Sequence, residues 1–121
     1  YAHLRELFPP RDIYVFEREA RAHPACVPPA DRLFLGDIAT TLPEALRRLG
    51  PTAVLAHSDL GTGETEANRM LGRFLGPALD ALMAPGAIVV ANQPLEVARW
   101  RRLADPPGVR PDRYFLYRVG D

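Results

Sequence analysis

The stretch IYVFEREARAHPACVPPADRLFLGDI, residues 13–38, decides the fold of this chain. It holds two short apolar runs, IYVF and LFLG, and each is followed directly by an acid, Glu17 or Asp37. Compact runs of branched and aromatic residues, separated by a proline-rich connection, predict two strands, at residues 12–16 and 33–35. The chain therefore places a carboxylate at the tip of each of two successive buried strands.

Helices and further strands alternate along the rest of the sequence. Apolar residues at helical spacing predict four helices. Two of them cover residues 1–8 and 95–104, and a third covers residues 64–83 with a kink at Gly76-Pro77. The fourth begins with a capping box at Thr41-x-x-Glu44 and stops at Gly50-Pro51. Three more strands are predicted at 52–59, 87–92 and 113–119. The strand at 52–59 is so continuously apolar that we expect it to be covered on both faces. This alternation predicts an α/β fold with a mostly parallel sheet.

Composition limits the classes of protein to which the chain can belong. With 121 residues, 47% of them hydrophobic, it is one domain with a real core. Fifteen basic residues balance fifteen acidic ones, which argues against nucleic acid or an anionic membrane surface as a partner. The single cysteine, Cys26, cannot form an internal disulfide, and no apolar run approaches the roughly 20 residues of a membrane span. We therefore expect a cytoplasmic protein.

The candidate site lies where the strands end. In open α/β sheets, ligands bind beyond the carboxyl ends of the strands, and four such ends carry polar residues: Glu17-Arg18, Gly36-Asp37, residues 58–61 and residues 92–94. An acid there can accept both hydroxyls of a ribose, and a second acid after the neighbouring strand can accept the exocyclic amine of an adenine. Taken singly, each acid is more often a turn former or a helix N-cap, and Asp37 could cap a helix that starts at Ile38.

Other polar and aromatic residues give weaker signals. His57 stands inside an apolar strand, where a hydrogen-bonded core histidine is the favoured interpretation. Tyr114, Phe115 and Tyr117 alternate on the last strand and are interpreted as core rather than as a substrate cage. The three histidines lie in different segments without carboxylates at ligand spacing, so no metal site is predicted.

The order of these features resembles the class I S-adenosylmethionine-dependent methyltransferases, which have a Rossmann-like, doubly wound sheet. More specifically, the chain is similar to a small bacterial family that shares its YVFEREARAHPxCVP and DLGTG stretches. The resemblance implies that the Glu17-Arg18 end binds the cofactor ribose, and that Gly36, Asp37 and Ile38 contribute to the adenine pocket. It places Asp59 and Leu60 beside the reactive methyl group, with Asp59, or less favourably His57, contacting the methyl acceptor or its proton.

The chain also departs from this class. The first strand and the Gly-rich loop that follows it in the class are missing, and the two late strands look reduced to one antiparallel strand. We therefore expect the chain to be the C-terminal part of a longer domain, too incomplete to act alone without the missing strand. We expect a gap in the sheet between strands 12–16 and 52–58, or a direct, non-native pairing across it. Buried strand edges without partners would destabilise such a fragment.

The function that the resemblance implies is transfer of a methyl group from S-adenosyl-L-methionine to an unidentified acceptor, with a small molecule preferred. Nucleic acid is the least favoured acceptor because the net charge is zero. Self-association into a homo-oligomer is left open. Two other classes of protein stay open as well: a nicotinamide-dependent oxidoreductase, which would share the strand-end acid, and a non-catalytic domain that binds a cofactor or a protein partner.

Overall fold

The computed structural model describes residues 14–17, 32–60, 64–105, 107–108, 110 and 113–121. The described residues form six strands and two helices: β1 (Val15–Glu17), β2 (Leu33–Leu35), α1 (Ile38–Leu49), β3 (Ala53–Ser58), α2 (Thr65–Asp80), β4 (Met83–Ala91), β5 (Trp100–Arg102) and β6 (Phe115–Val119). The chain divides into two compact units, Tyr1–Arg48 and Leu49–Asp121. The helix predicted at residues 1–8 lies outside the described residues. Neither described helix is long and apolar enough to cross a membrane.

The first unit is built on β1 and β2, which pair in parallel. Phe34 of β2 is buried, and its ring stacks on Phe16 of β1 with 4.7 Å between the ring centroids. The guanidinium of Arg48 lies 4.7 Å from the centroid of the same Phe34 ring. Aromatic stacking and cation–π contacts each stabilise such a cluster by about 0.5–1.5 kcal/mol. These contacts fix Phe34, and with it the strand that leads to Asp37.

Helix α1 begins at Ile38, four residues before the start that a cap at Thr41 would give, so the predicted capping box of Thr41 and Glu44 is wrong. The helix starts early because Asp37 caps it: Oδ1 of Asp37 accepts the backbone N–H of Ala39 at 2.9 Å. Thr41 is buried inside the helix instead, and its hydroxyl donates to the carbonyl of Asp37 at 3.2 Å. The predicted end is confirmed, since Gly50 follows the helix with φ 66°, a left-handed conformation that favours glycine.

The second unit contains a four-stranded sheet in the order β3-β4-β6-β5. β3 and β4 are parallel and are joined through α2, whereas β4–β6 and β6–β5 are antiparallel. The α/β class and the antiparallel late strand are thus confirmed. Phe115 and Tyr117 of β6 are buried, as their interpretation as core residues requires, and Tyr114 is half-buried.

The predicted helix at residues 95–104 is wrong, because Trp100–Arg102 forms strand β5. β5 pairs with β6, with Trp100 opposite Val119, and the Trp100 and Tyr117 rings lie 5.6 Å apart. This pairing overrides the local helical pattern. The chain therefore has two late strands, and the expectation that only one is left is wrong as well.

The long helix and the strand after it are also displaced from their predicted bounds. Helix α2 ends at Asp80, and β4 begins at Met83, so the Ala84-Pro85-Gly86 break falls inside the strand. The break interrupts the pairing with β3: Ala53 pairs with Met83, but Leu55 pairs with Ile88. Proline has no N–H to donate to a neighbouring strand, so it is tolerated at such an irregularity, where the regular pairing is interrupted.

β3 lies at an edge of its sheet, with β4 as its partner among the described strands. The side chains of Val54 and Leu55 are 44% and 48% exposed, so the expectation that β3 is covered on both faces is wrong for this chain. β1 belongs to the other sheet. The missing strand between β1 and β3 stays a prediction.

In the second unit, Arg99 bonds to several segments at the end of the sheet opposite to the carboxyl ends of β3 and β4. Arg99 donates from Nε to Oδ1 of Asp80 at 2.6 Å, and its two terminal nitrogens donate to the carbonyls of Asp80, Met83 and Gly120 at 3.0–3.2 Å. The indole N–H of Trp100 donates to the same Asp80 Oδ1 at 2.8 Å. We call this group the Arg99 clamp. It joins the end of α2, the start of β4 and the residue after β6, and so it fixes the strand whose other end carries the candidate site.

Candidate active site at the strand ends

In the first unit, Glu17 and Gly36-Asp37 lie at the same edge of the sheet. β1 and β2 are parallel, and Glu17 pairs with Leu35, so Gly36 follows at the point where β1 ends. Gly36 has φ 125°, a conformation that side chains rarely adopt, and it turns the chain from β2 toward α1. The backbone therefore brings the two predicted strand tips together. Arg18 lies outside the described residues.

Asp37 caps helix α1, which is the alternative that the sequence left open. Its Oδ1 accepts the N–H of Ala39, and its carbonyl accepts the N–H groups of Thr40 and Thr41 at 2.9 and 3.0 Å. The residue is exposed, and Ile38 beside it is half-buried. An exposed carboxylate at a helix N-terminus is stabilised by the positive end of the helix dipole. The role of Asp37 toward adenine stays a prediction.

In the second unit, the ends of β3 and β4 are joined side by side. Ser58 pairs with Ala91, and the N–H of Asn92 donates to the carbonyl of Ser58 at 3.1 Å. Asp59 and Leu60 follow β3 and are both exposed. The sequence thus predicted correctly that residues 58–60 and 92–93 share one edge.

Among the residues that the structure describes, two buried polar side-chain atoms at this edge have no hydrogen-bond partner. They are the hydroxyl oxygen of Ser58 and Oε1 of Gln93. Ser58 is 7% exposed and Gln93 is 1% exposed. A buried polar group without a partner costs roughly 1–3 kcal/mol, and such groups are rare in folded proteins. Both fall where the sequence places the site.

Helix α2 approaches this edge closely through two glycines. A Cβ on Gly72 would lie 3.1 Å from Nε2 of Gln93 and 3.4 Å from the carbonyl of Pro94. A Cβ on Gly76 would lie 3.2 Å from a side-chain carbon of Val97. Nε2 of Gln93 donates to the carbonyl of Asn68 at 2.9 Å, which links the segment after β4 to the first turns of α2. The missing side chains of the two glycines let the helix hold residues 93–97 against the sheet.

The structure also describes His57, Asp59 and the residues searched for a metal site. His57 is exposed, so the interpretation as a core histidine is wrong. Asp59, the predicted contact of the methyl acceptor, is exposed at the tip of β3. Within the described ranges no group of three or more histidine, cysteine, aspartate or glutamate residues could hold a metal ion.

Sequence reasoning named residues 58 and 93 as strand-end residues but gave them no role. No pattern in the sequence reports whether a buried oxygen finds a partner, because that depends on side chains from distant segments. The spacing of Gly72 and Gly76 was the available signal, since glycines four residues apart in a helix leave a flat face for close packing. The Arg99 clamp was missed because residues 95–104 were assigned to a helix.

Parallel strands that end together at one edge, with a helix N-terminus beside them, are typical of Rossmann-like proteins, which bind their ligands at that edge. Comparison with known proteins gives the family. The family of S-adenosyl-L-methionine methyltransferases matches residues 1–119. The chain belongs to this family, and the cofactor of the family is S-adenosyl-L-methionine.

A solved structure supports the same assignment. The S-adenosyl-L-methionine methyl transferase from Silicibacter pomeroyi DSS-3 is 41% identical to the chain and superposes with a TM-score of 0.91. The match covers 99% of this chain and 74% of that one. Comparison with curated proteins gives no match. Both matches favour a methyltransferase over the nicotinamide-dependent oxidoreductase.

Proposed function

We propose that the protein transfers the methyl group of S-adenosyl-L-methionine to a small-molecule acceptor, and that the nucleoside part of the cofactor binds at the carboxyl ends of β1 and β2. The family match over residues 1–119 supports the chemistry. The observation that carries the location is the register of β1 and β2, which sets Glu17 opposite Leu35 and so puts two acids at one edge.

The residues of the first unit fit the nucleoside part of this cofactor. Glu17 ends β1, from where a carboxylate can accept hydrogen bonds from both ribose hydroxyls. Gly36 adopts the positive φ of 125° that the turn between the two tips requires. Asp37 and Ile38 would contact the adenine.

The residues after β3 suit the transfer step. When bound, the cofactor supplies a sulfonium methyl group that is already activated for in-line displacement. The protein must then orient the acceptor, exclude water and, where the acceptor carries a proton, remove it. Asp59 presents an exposed carboxylate that can bind the acceptor or take its proton, and Leu60 adds apolar surface beside it.

A strand from outside these 121 residues would complete the sheet in this proposal. β3 has β4 as its partner on one side among the described strands, and its apolar Val54 and Leu55 are about half exposed. A further strand pairing with β3 would cover these side chains and satisfy the backbone groups of the edge. The similar methyltransferase from S. pomeroyi is longer than this chain, which agrees with the proposal.

The experiment is a transfer assay with methyl-labelled S-adenosyl-L-methionine, the full-length protein and a panel of small hydroxyl, amine, thiol and carboxylate acceptors. We expect labelled product and S-adenosylhomocysteine in equal amounts, and a loss of at least tenfold in kcat/KM for Asp59→Asn. Glu96→Gln, which changes an exposed acid outside the proposed site, is the matched control. Cofactor binding without turnover on any acceptor would instead favour the non-catalytic domain.

A further inference from the structure

The two buried oxygens without partners suggest what kind of acceptor the site takes. Resting on the proposed function, we propose that Ser58 and Gln93, here called the polar pair, bind the methyl acceptor through a group that donates a hydrogen bond. The acceptor would then carry a hydroxyl or amine recognition group rather than only a carboxylate or phosphate.

The strand pairing brings the polar pair to neighbouring strand ends. Ser58 pairs with Ala91, the last residue of β4. Gln93 follows two residues later, beyond the end of the strand, and is buried. Its amide nitrogen is bonded to the carbonyl of Asn68 in α2.

The hydrogen bond to Asn68 fixes which way the Gln93 amide points. A backbone carbonyl can only accept, so the group that faces Asn68 O at 2.9 Å must be the amide nitrogen. Oε1 therefore points away from that contact, where it has no partner. Oε1 is thus an acceptor without a donor. The assignment of the amide oxygen and nitrogen follows from the heavy atoms alone and does not depend on hydrogen positions.

The chemistry of the two oxygens selects the ligand group. Oε1 of Gln93 can only accept, whereas the Ser58 hydroxyl can donate or accept. A hydroxyl or an amine can donate to either oxygen. A carboxylate or phosphate oxygen would face Oε1 with a second acceptor, which is repulsive in a buried place. Both oxygens are covered in this structure, so the incoming group must displace part of their present surroundings.

A stability measurement separates a binding role from a structural one. If the Ser58 hydroxyl is held in reserve for a ligand, Ser58→Ala removes an unpaired polar group, and we expect the Tm of the full-length protein to rise by about 3 °C. Thr41→Val is the matched control: the Thr41 hydroxyl is also buried but is bonded to Asp37 O, so its Tm should fall. A fall in Tm for Ser58→Ala equal to that of Thr41→Val would overturn the proposal.

A binding measurement with defined probes completes the test. The side-chain amide of Gln93 is followed by NMR in 15N-labelled protein with S-adenosylhomocysteine, while ethanolamine or acetate is added. We expect ethanolamine to shift this resonance and acetate not to, and Ser58→Ala to weaken ethanolamine binding at least fivefold. Equal shifts from both probes, or no shift from ethanolamine, would overturn the proposal. Failure of S-adenosylhomocysteine to bind would instead count against the proposed function, because the Tm comparison is made without the cofactor.

Discussion

Loss of the Arg99 clamp should destabilise the second unit far more than loss of an ordinary surface ion pair. Arg99→Ala removes four hydrogen bonds, at 2.6 Å to Oδ1 of Asp80 and at 3.0–3.2 Å to three carbonyls. A hydrogen bond from a charged group is worth about 1.5–3 kcal/mol when buried. The Arg99 and Asp80 side chains are 30% and 26% exposed, so water competes, and we discount each bond to about 0.5–1 kcal/mol. The free energy of unfolding should therefore fall by about 2–4 kcal/mol.

Urea unfolding of the full-length protein, followed by circular dichroism, measures this loss. Arg69→Ala is the matched control, because Arg69 also pairs with an acid, Glu66 at 3.3 Å, but the two side chains are 59% and 68% exposed. That pair should contribute no more than about 0.5 kcal/mol. Arg99→Lys should recover only part of the lost free energy of unfolding, because lysine lacks the rigid fork of donors of arginine and cannot reach all four acceptors. If Arg99→Ala changed stability no more than Arg69→Ala, the clamp would not hold the strands as described.

Two further substitutions test the turn geometry. Asp37→Ala should lower the free energy of unfolding by about 1 kcal/mol through loss of the helix cap, whereas Asp37→Asn keeps a cap oxygen and should cost less; equal losses in urea unfolding would contradict the cap. The two variants should also weaken cofactor binding less than loss of Glu17 does, by calorimetry. Gly120→Ala should lower the Tm by several degrees, because a Cβ there would lie 2.6 Å from the carbonyl oxygen of Arg99; an unchanged Tm would show that the chain end moves freely.

The sequence predicts best where a local pattern and the fold agree. Strand β2 was placed at its observed bounds because Leu33–Leu35 is a compact apolar run between turn signals. The end of α1 followed from Gly50, whose positive φ needs no tertiary information. Its start was missed because Asp37 and Thr41 are both good cap residues, and the choice between them depends on the burial of Thr41.

Prediction failed where distant segments decide the structure. The pattern of residues 95–104 is typical of a helix. In the structure, however, Trp100 pairs with Val119 in an antiparallel ladder, and its indole N–H donates to Asp80. The exposure of Val54 and Leu55 likewise depends on which strand lies next to β3. At the candidate site, the strand-end residues could be named in advance, but the unpaired oxygens of Ser58 and Gln93 could not.

The central claim is that the acid at the tip of β1 holds the cofactor. Calorimetric titration of S-adenosyl-L-methionine into the full-length protein, and into its Glu17→Ala variant, tests it most directly. One hydrogen bond from a ribose hydroxyl to a carboxylate is worth about 1.5–3 kcal/mol, and 1.4 kcal/mol is tenfold in affinity. We expect Kd to rise at least tenfold for Glu17→Ala and to stay unchanged for Glu44→Ala, which removes an exposed acid from α1. An unchanged Kd for Glu17→Ala, or no binding by the unaltered protein, would contradict the account.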